Sequence, residues 1–300
     1  MKNKLLNGII FSSAGSLWWG IIGVFYFKYV SFAGPVELVV HRTIWTALVL
    51  LLTITLYSRW YLFFEVLNNK KKLFMLFVSG LLIFINWFTW IYAVVTNRLV
   101  DASFGYYIFP ILSVLFGFVF FDEKLSKRRI VSIFLVLISI IYLLFNFKSI
   151  PWIGLVIAIV WGTYNLLRKK INVHTDIGLF VETAFILPIA LVLFYLIFQK
   201  GLNDFSLSNS NIMFLLFLAG PMTVIPLYLY LRGVELAGLG ASGMTFFIAP
   251  TGQFLLGIFY FNEIFSVHKL KKSSHVTSKS FPLLRIMLAF LLISSFVTCE

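Results

Sequence analysis

Cysteine is almost missing from this chain. Cys299 is the one cysteine in 300 residues, so no internal disulfide and no four-cysteine metal site can form. Charge is scarce as well: Asp, Glu, Lys and Arg make up 12% of the sequence, against about 25% in a soluble domain. The four histidines, His41, His174, His268 and His275, belong to no H-E-x-x-H site. No glycine-rich phosphate loop of the GxxxxGK[ST] type is present, which argues against ATP-driven work within the chain. No Ser/His/Asp constellation assembles. These absences speak against an enzyme and against a resident cofactor or metal.

What the chain has in excess is apolar surface. Hydrophobic residues make up 61%, and the mean hydropathy is +0.99. Too few polar residues remain to clothe a water-soluble globule of this length. The sequence therefore predicts an all-α integral membrane protein. Apolar runs lie near 5–27, 36–57, 73–95, 102–121, 130–147, 151–167, 177–198, 211–231, 241–261 and 281–299. Most are about as long as a helix must be to cross a hydrocarbon core of roughly 30 Å. They lack the alternation of barrel strands, and backbone groups in lipid must bond internally, so about ten transmembrane helices are expected. The first run opens after Lys2 and Lys4, as a signal peptide would. Its length, and the small residues Ser12, Ser13, Ala14, Gly15 and Ser16 inside it, favour a retained helix.

Basic residues set the orientation. With a cytoplasmic N-terminus, the inner segments carry Lys2, Lys4, Arg59, Lys70, Lys71, Lys72, Lys124, Lys127, Arg128, Arg129, Arg168, Lys169, Lys170 and Arg232. The outer connections up to the ninth run carry Lys28, Arg98, Lys148 and Lys200. The excess belongs inside. The net charge of +13 is then explained by topology and by anionic lipid at the cytoplasmic face, with no nucleic-acid partner needed.

The chain repeats itself. A shift of 140 residues places Ile108, Pro110, Leu115, Gly117, Phe121, Glu123 and Ser126 on identical residues at 248, 250, 255, 257, 261, 263 and 266. Trp19-Gly20 and Trp161-Gly162 match at a shift of 142. Residues 1–147 and 148–300 are thus expected to be two five-helix repeats. An odd number of crossings inverts the second against the first, an architecture common among transporters with a site near the midplane. Pro110 and Pro250 fall mid-helix, where each removes a backbone hydrogen bond, and are candidate hinges.

Polar groups inside apolar runs mark candidate binding positions. His41 and Arg42 are adjacent and cannot both face the same way, so one of the two is expected to face the bundle interior. Glu182 stands at a similar depth of the seventh run. Because the two runs enter from opposite faces, His41 and Glu182 are expected to form separate half-sites instead of one salt bridge. Asn86 and Trp90 share a helix face, with Trp87 beside them. They offer a stacking surface and an amide, or equally a packing contact between helices. Ser103, Tyr106, Tyr107, Tyr164 and Asn165 add hydroxyl and amide groups.

Several stretches together resemble the RarD-type transporters of the EamA family, in the drug/metabolite transporter superfamily. They are His41-Arg42-Thr43-Ile44-Trp45, Asn86-Trp87, the run Ala102 to Pro110, Leu167-Arg168-Lys169-Lys170 and Glu182-Thr183. The resemblance covers roughly residues 5–268 and ends there. It implies ten helices in two inverted five-helix repeats, a bacterial inner-membrane location and a permease or efflux role. Beyond His268, Lys269, Lys271, Lys272 and Lys279 precede a different apolar run, 281–299. The tail from Lys269 is either a frameshifted, divergent end or an altered tenth helix.

The expected function is secondary transport of a small organic metabolite or drug by alternating access, with a proton or another ion as coupling partner. Glu182 and His41 are the candidates for proton coupling. The rival reading is a membrane-embedded lipid-handling protein or enzyme scaffold. A lateral opening lined by paired carboxylates or His would favour that rival.

Overall fold

The computed structural model describes residues 2–123, 152–206 and 209–263, with single positions 130, 131, 134 and 138. The rest of the fifth apolar run, the tenth run, the connection 124–129, Lys148 and the tail from Lys269 lie outside the described residues. All regular structure among the described residues is helical. Helix α1 (Lys2–Leu17) passes through a π turn at Trp18–Ile22 into α2 (Gly23–Tyr29). Then follow α3 (Gly34–Leu56), the short α4 (Trp60–Leu67), α5 (Lys70–Val95), α6 (Leu99–Phe121), α7 (Trp152–Ile171) and α8 (Thr175–Gln199). The described chain ends with α9 (Ser210–Phe217), α10 (Ala219–Ala237), α11 (Leu239–Thr245) and α12 (Ile248–Leu255), which runs into a π turn at Leu256–Tyr260.

Among the described residues, seven stretches are long and apolar enough to cross a membrane by length and composition: Asn3–Tyr29, Ser31–Leu56, Lys70–Val95, Leu99–Phe121, Thr175–Gln199, Ser210–Ala237 and Leu239–Tyr260. The sixth expected run, α7, is not among them, because Asn165, Arg168 and Lys169 dilute its apolar character. Local chemistry sets the helix starts. Pro35 occupies the first turn of α3, where its missing N–H costs nothing. The side-chain oxygen of Asn69 accepts from the Lys72 N–H at 3.0 Å and opens α5.

The spans pack in a regular pattern. α1 lies along α10, and α5 along α7. α3 packs on α8, and α6 on α11 and α12. α6 also rests on α7, as α12 rests on the π turn of the first span; α3 touches α10, as α5 touches α8. With the broken spans taken whole, exchanging each span for the one five places along the ten-run series turns this set of pairs into itself. Lipid supplies no hydrophobic drive between helices, so close backbone approach must hold them. A Cβ on Gly105 would overlap the carbonyl of Gly154, and one on Gly252 would lie 2.6 Å from the carbonyl oxygen of Gly20.

Two glutamates staple α6 to the α11–α12 span at both ends. Asp122 and Asn262 end their helices in the left-handed region, at φ 53 and 52. Each turn presents the next residue to the other span. The Glu123 carboxylate accepts from the backbone N–H groups of Leu239 and Gly240, both at 2.8 Å, and from Lys169 Nζ at 2.7 Å. Glu263 accepts from the Val100 N–H at 3.1 Å. A carboxylate at a helix N-terminus satisfies orphan donors and complements the helix dipole.

The two prolines behave differently. α6 continues through Pro110. Around Pro250 the span breaks between Thr245 and Ile248, where the proline supplies no N–H to the carbonyl four residues back and Gly238, Gly240 and Gly243 precede it.

Two outcomes follow from this packing. Gly105→Ala and Gly252→Ala should each lower unfolding stability by about 1–3 kcal/mol through forced separation of paired spans. Gly23→Ala, whose Cβ would meet its nearest neighbour at 3.5 Å, should change it by less than about 1 kcal/mol; denaturant titration in detergent reads all three. Burial alone would raise the Glu123 carboxyl, but Lys169 and the two N–H groups outweigh it and hold it below its ordinary value of 4.5. Its contribution is therefore complete at neutral pH and fades as pH drops below that value. Glu123→Gln should melt lower than the native protein at pH 7, with the gap closing on acidification below 4.5.

Candidate functional site

At the centre of the helices, nine side chains enclose a cavity: Trp19, Arg42, Asn86, Trp87, Trp90, Tyr106, Trp161, Phe246 and Gln253. They come from the first π turn, α3, α5, α6, α7, the break before α12, and α12 itself. The cavity volume is about 20 Å³. The site is thus contracted.

The walls are aromatic and pair residues that are equivalent in the repeat. Trp19 meets Trp161 edge-on with ring centroids 5.5 Å apart, and Tyr106 meets Phe246 at the same distance. Arg42 lies eight residues into α3 and is 3% exposed. Its guanidinium carbon sits 4.6 Å from the centre of the Trp87 ring and 5.0 Å from that of Phe27. Contacts of this kind stabilise a desolvated cation by about 2 kcal/mol. Among the described residues no carboxylate comes within ion-pair distance of Arg42, and its Nε has no hydrogen-bond partner. Asn86 Oδ1 accepts from the Tyr106 hydroxyl at 3.2 Å, while Asn86 Nδ2 has no partner. Gln253 Oε1 accepts from Trp90 Nε1 at 3.4 Å.

A family model described as the EamA-like transporter family matches residues 6–145. The chain is 34% identical over 266 residues to the uncharacterized transporter YojE of Bacillus subtilis, with 88% of each chain covered. It is 33% identical to an uncharacterized transporter of Vibrio cholerae over 88% of this chain and 87% of that one. The chain belongs to the EamA-like transporter family. Protein RarD of Escherichia coli is 29% identical over 86% of both chains, which makes this a RarD-type member. A solved crystal structure shares the fold, with a TM-score of 0.61 at 13% identity over 99% of each chain. The protein is a multi-pass membrane transporter of the drug/metabolite group.

Within this EamA-like chain, five residues singled out from sequence line the cavity: Arg42, Asn86, Trp87, Trp90 and Tyr106. His41 does not. Its ring packs against Trp45, Phe194 and Phe205, and its Nε2 lies 3.5 Å from Glu37. Glu37 in turn accepts from the Asp204 and Phe205 N–H groups. Glu182 also lies off the cavity. It accepts from Ser79 at 2.5 Å and from Tyr164 at 3.2 Å, and Arg168 Nε stands 3.6 Å away. His41 and Glu182 therefore have separate partners. Ser103 donates to the Val100 carbonyl, Tyr107 bonds Thr251, and Asn165 donates to the Trp161 carbonyl.

Trp19, Trp161, Phe246 and Gln253 complete the lining without having been singled out. Gln253 carried a readable signal, an amide inside an apolar run. The three aromatics carried none beyond their places in the repeat. Among the described residues no group of three or more His, Cys, Asp or Glu is placed to hold a metal.

The Arg168–Glu182 pair is buried on both sides, and removing one partner leaves the other charge stranded. Arg168→Leu alone should destabilise the protein by about 3–5 kcal/mol, while Arg168→Leu combined with Glu182→Leu should recover most of that loss. Denaturant titration of the single and double variants checks this.

Proposed function

We propose that this protein is a secondary transporter of a small organic solute, working by alternating access between two inverted five-helix repeats, 1–147 and 148–300. The carrying observation is the central cavity. It is closed by side chains from both halves, repeat-equivalent rings touch across it, and polar groups without partners open onto it. The self-consistent exchange of span pairs supports the repeat. The contracted volume supports a mechanism in which the walls part. The break before Pro250 supplies one joint, and Pro110 opposite it a second.

We place the protein in a bacterial inner membrane with its N-terminus in the cytoplasm, as the basic residues favour. Anionic lipid would meet the basic inner connections. Among the described residues no carboxylate, His, Ser or Cys lines the cavity, a chemistry of holding instead of bond-breaking, which weighs against an enzyme or lipid-handling scaffold. Of the two coupling candidates, His41 is favoured. Glu182 is held by Arg168, whereas His41 faces the carboxylate of Glu37.

Purified protein in liposomes should exchange at least one component of a bacterial metabolite extract faster than protein-free liposomes. Trp90→Ala should cut that exchange roughly tenfold or more, as loss of a ring at a stacking wall would. An imposed pH gradient should drive accumulation in the native protein and fail to in His41→Gln. If no extract component is exchanged while fluorescent lipid is scrambled, the lipid-handling reading replaces this one.

A further inference from the structure

The cavity's open valences share one chemistry. Three of its lining side chains carry buried polar atoms without a hydrogen-bond partner: Arg42 Nε, Asn86 Nδ2 and Trp161 Nε1. All three are N–H donors. The amide oxygens in the same wall already take donors: Asn86 Oδ1 takes the Tyr106 hydroxyl, and Gln253 Oε1 takes the Trp90 indole N–H. The cavity therefore presents open donors, and it carries one positive charge that no described carboxylate offsets. Uncompensated charge in a low-dielectric interior is costly, so its natural complement is a ligand charge.

The guanidinium geometry narrows that complement further. Trp87 and Phe27 lie against Arg42 at 4.6 and 5.0 Å from its central carbon, with Trp90 at 5.9 Å. Rings stack on the faces of a guanidinium, which leaves its N–H edge for in-plane, two-pronged bonding to a carboxylate. The rest of the wall is Trp19, Trp161, Tyr106 and Phe246, flat apolar surface that suits a planar body.

We propose that the central cavity binds an organic monoanion, its carboxylate paired with the Arg42 guanidinium and its flat apolar body held between the indole walls. Asn86 Nδ2 and Trp161 Nε1 supply further donors to acceptor atoms on that body. Among the described residues a single cationic side chain faces the site, so one negative charge is matched and a dianion is not. The proposal rests on the reading of the cavity as a solute site, and adds to it the charge and shape of the solute.

Thermal unfolding of the purified full-length protein with 2-naphthoate, the neutral 2-naphthamide, and inorganic phosphate provides the test. A ligand that binds only the folded state raises the melting temperature, and by more the tighter it binds at a given concentration. Naphthoate should stabilise saturably, the amide should bind at least roughly tenfold more weakly, and phosphate should not compete with naphthoate. Arg42→Gln should equalise acid and amide, and Arg42→Lys should keep a preference for the acid. Asn86→Ala, which leaves the charge in place, should weaken naphthoate while preserving that preference. Equal stabilisation by acid and amide, no stabilisation by naphthoate, or an acid preference that survives Arg42→Gln would each overturn the proposal. Uptake into liposomes separates it from the transport reading. Naphthoate that binds through Arg42 without being translocated sinks transport and leaves the anion site standing; uptake of extract components that naphthoate does not inhibit sinks the anion site and leaves transport standing.

Discussion

Hydrocarbon offers no hydrogen bonds, so every polar group in a membrane-spanning chain must find its partner within the protein. Most of this structure obeys that constraint visibly. The hydroxyls of Thr43 and Thr183 donate to the carbonyls four residues back. Glu37 takes the N–H groups of the 204–205 loop. Glu123 and Glu263 take the N–H groups at the starts of α11 and α6. Glu182 gathers Ser79, Tyr164 and Arg168. Against that background the donors around Arg42 are conspicuous. Other buried polar atoms also lack partners, Arg168 Nη1 and the Tyr230 hydroxyl among them, but those of Arg42, Asn86 and Trp161 belong to side chains that line one cavity.

The repeat sharpens the contrast. A shift of 140 places Arg42 on Glu182 and Thr43 on Thr183. Both threonines make the same backbone bond, so the local helix geometry is kept in both halves. The neighbouring charge is treated in opposite ways. In the second half Glu182 is cancelled by Arg168 from α7. In the first half the charge is left to face aromatic rings. The paired rings and paired staples thus follow the spacing of about 140 residues, and departure from that pairing gives the cavity its sign.

Much of the frame was legible in the sequence, because length, hydropathy and the 140-residue identity are local or periodic signals. Arg42, Asn86 and Tyr106 stood out for the same reason, as polar groups inside apolar runs. Gln253 had that signal as well and went unread. Trp19 and Trp161 were visible as repeat mates, but among eight tryptophans and 35 phenylalanines nothing local tells a cavity wall from a lipid-facing ring. The partner of Glu182 was hidden differently. Arg168 sits in the basic cluster Arg168-Lys169-Lys170, which reads as a topology signal, and only tertiary packing turns one of those three residues inward, to 6% exposure. Likewise the two prolines look equivalent in sequence. The glycines ahead of Pro250 decide that one span breaks and the other does not.

A cavity this contracted admits an organic solute only if α6 and the α11–α12 span separate around it, and the way they are tied limits how they can. Glu123 fastens the end of α6 to the start of α11, and the Glu263 carboxylate, just past the end of the π turn after α12, fastens to the start of α6. The close glycine contacts at Gly105–Gly154 and Gly20–Gly252 bind each of these spans to a neighbour from the opposite half. Each span must then move together with the helix it is packed on, since pulling them apart would give up backbone contact that lipid cannot replace. Two such pairs, pinned at both ends, can open toward one face only by releasing the staple on that face while the other holds. The carboxylate with the additional lysine, Glu123 with Lys169 at 2.7 Å, is the stronger of the two, because a charge-assisted bond adds to its backbone contacts. On that ground the resting preference should be closure at the Glu123 end, with the Glu263 end the easier to open.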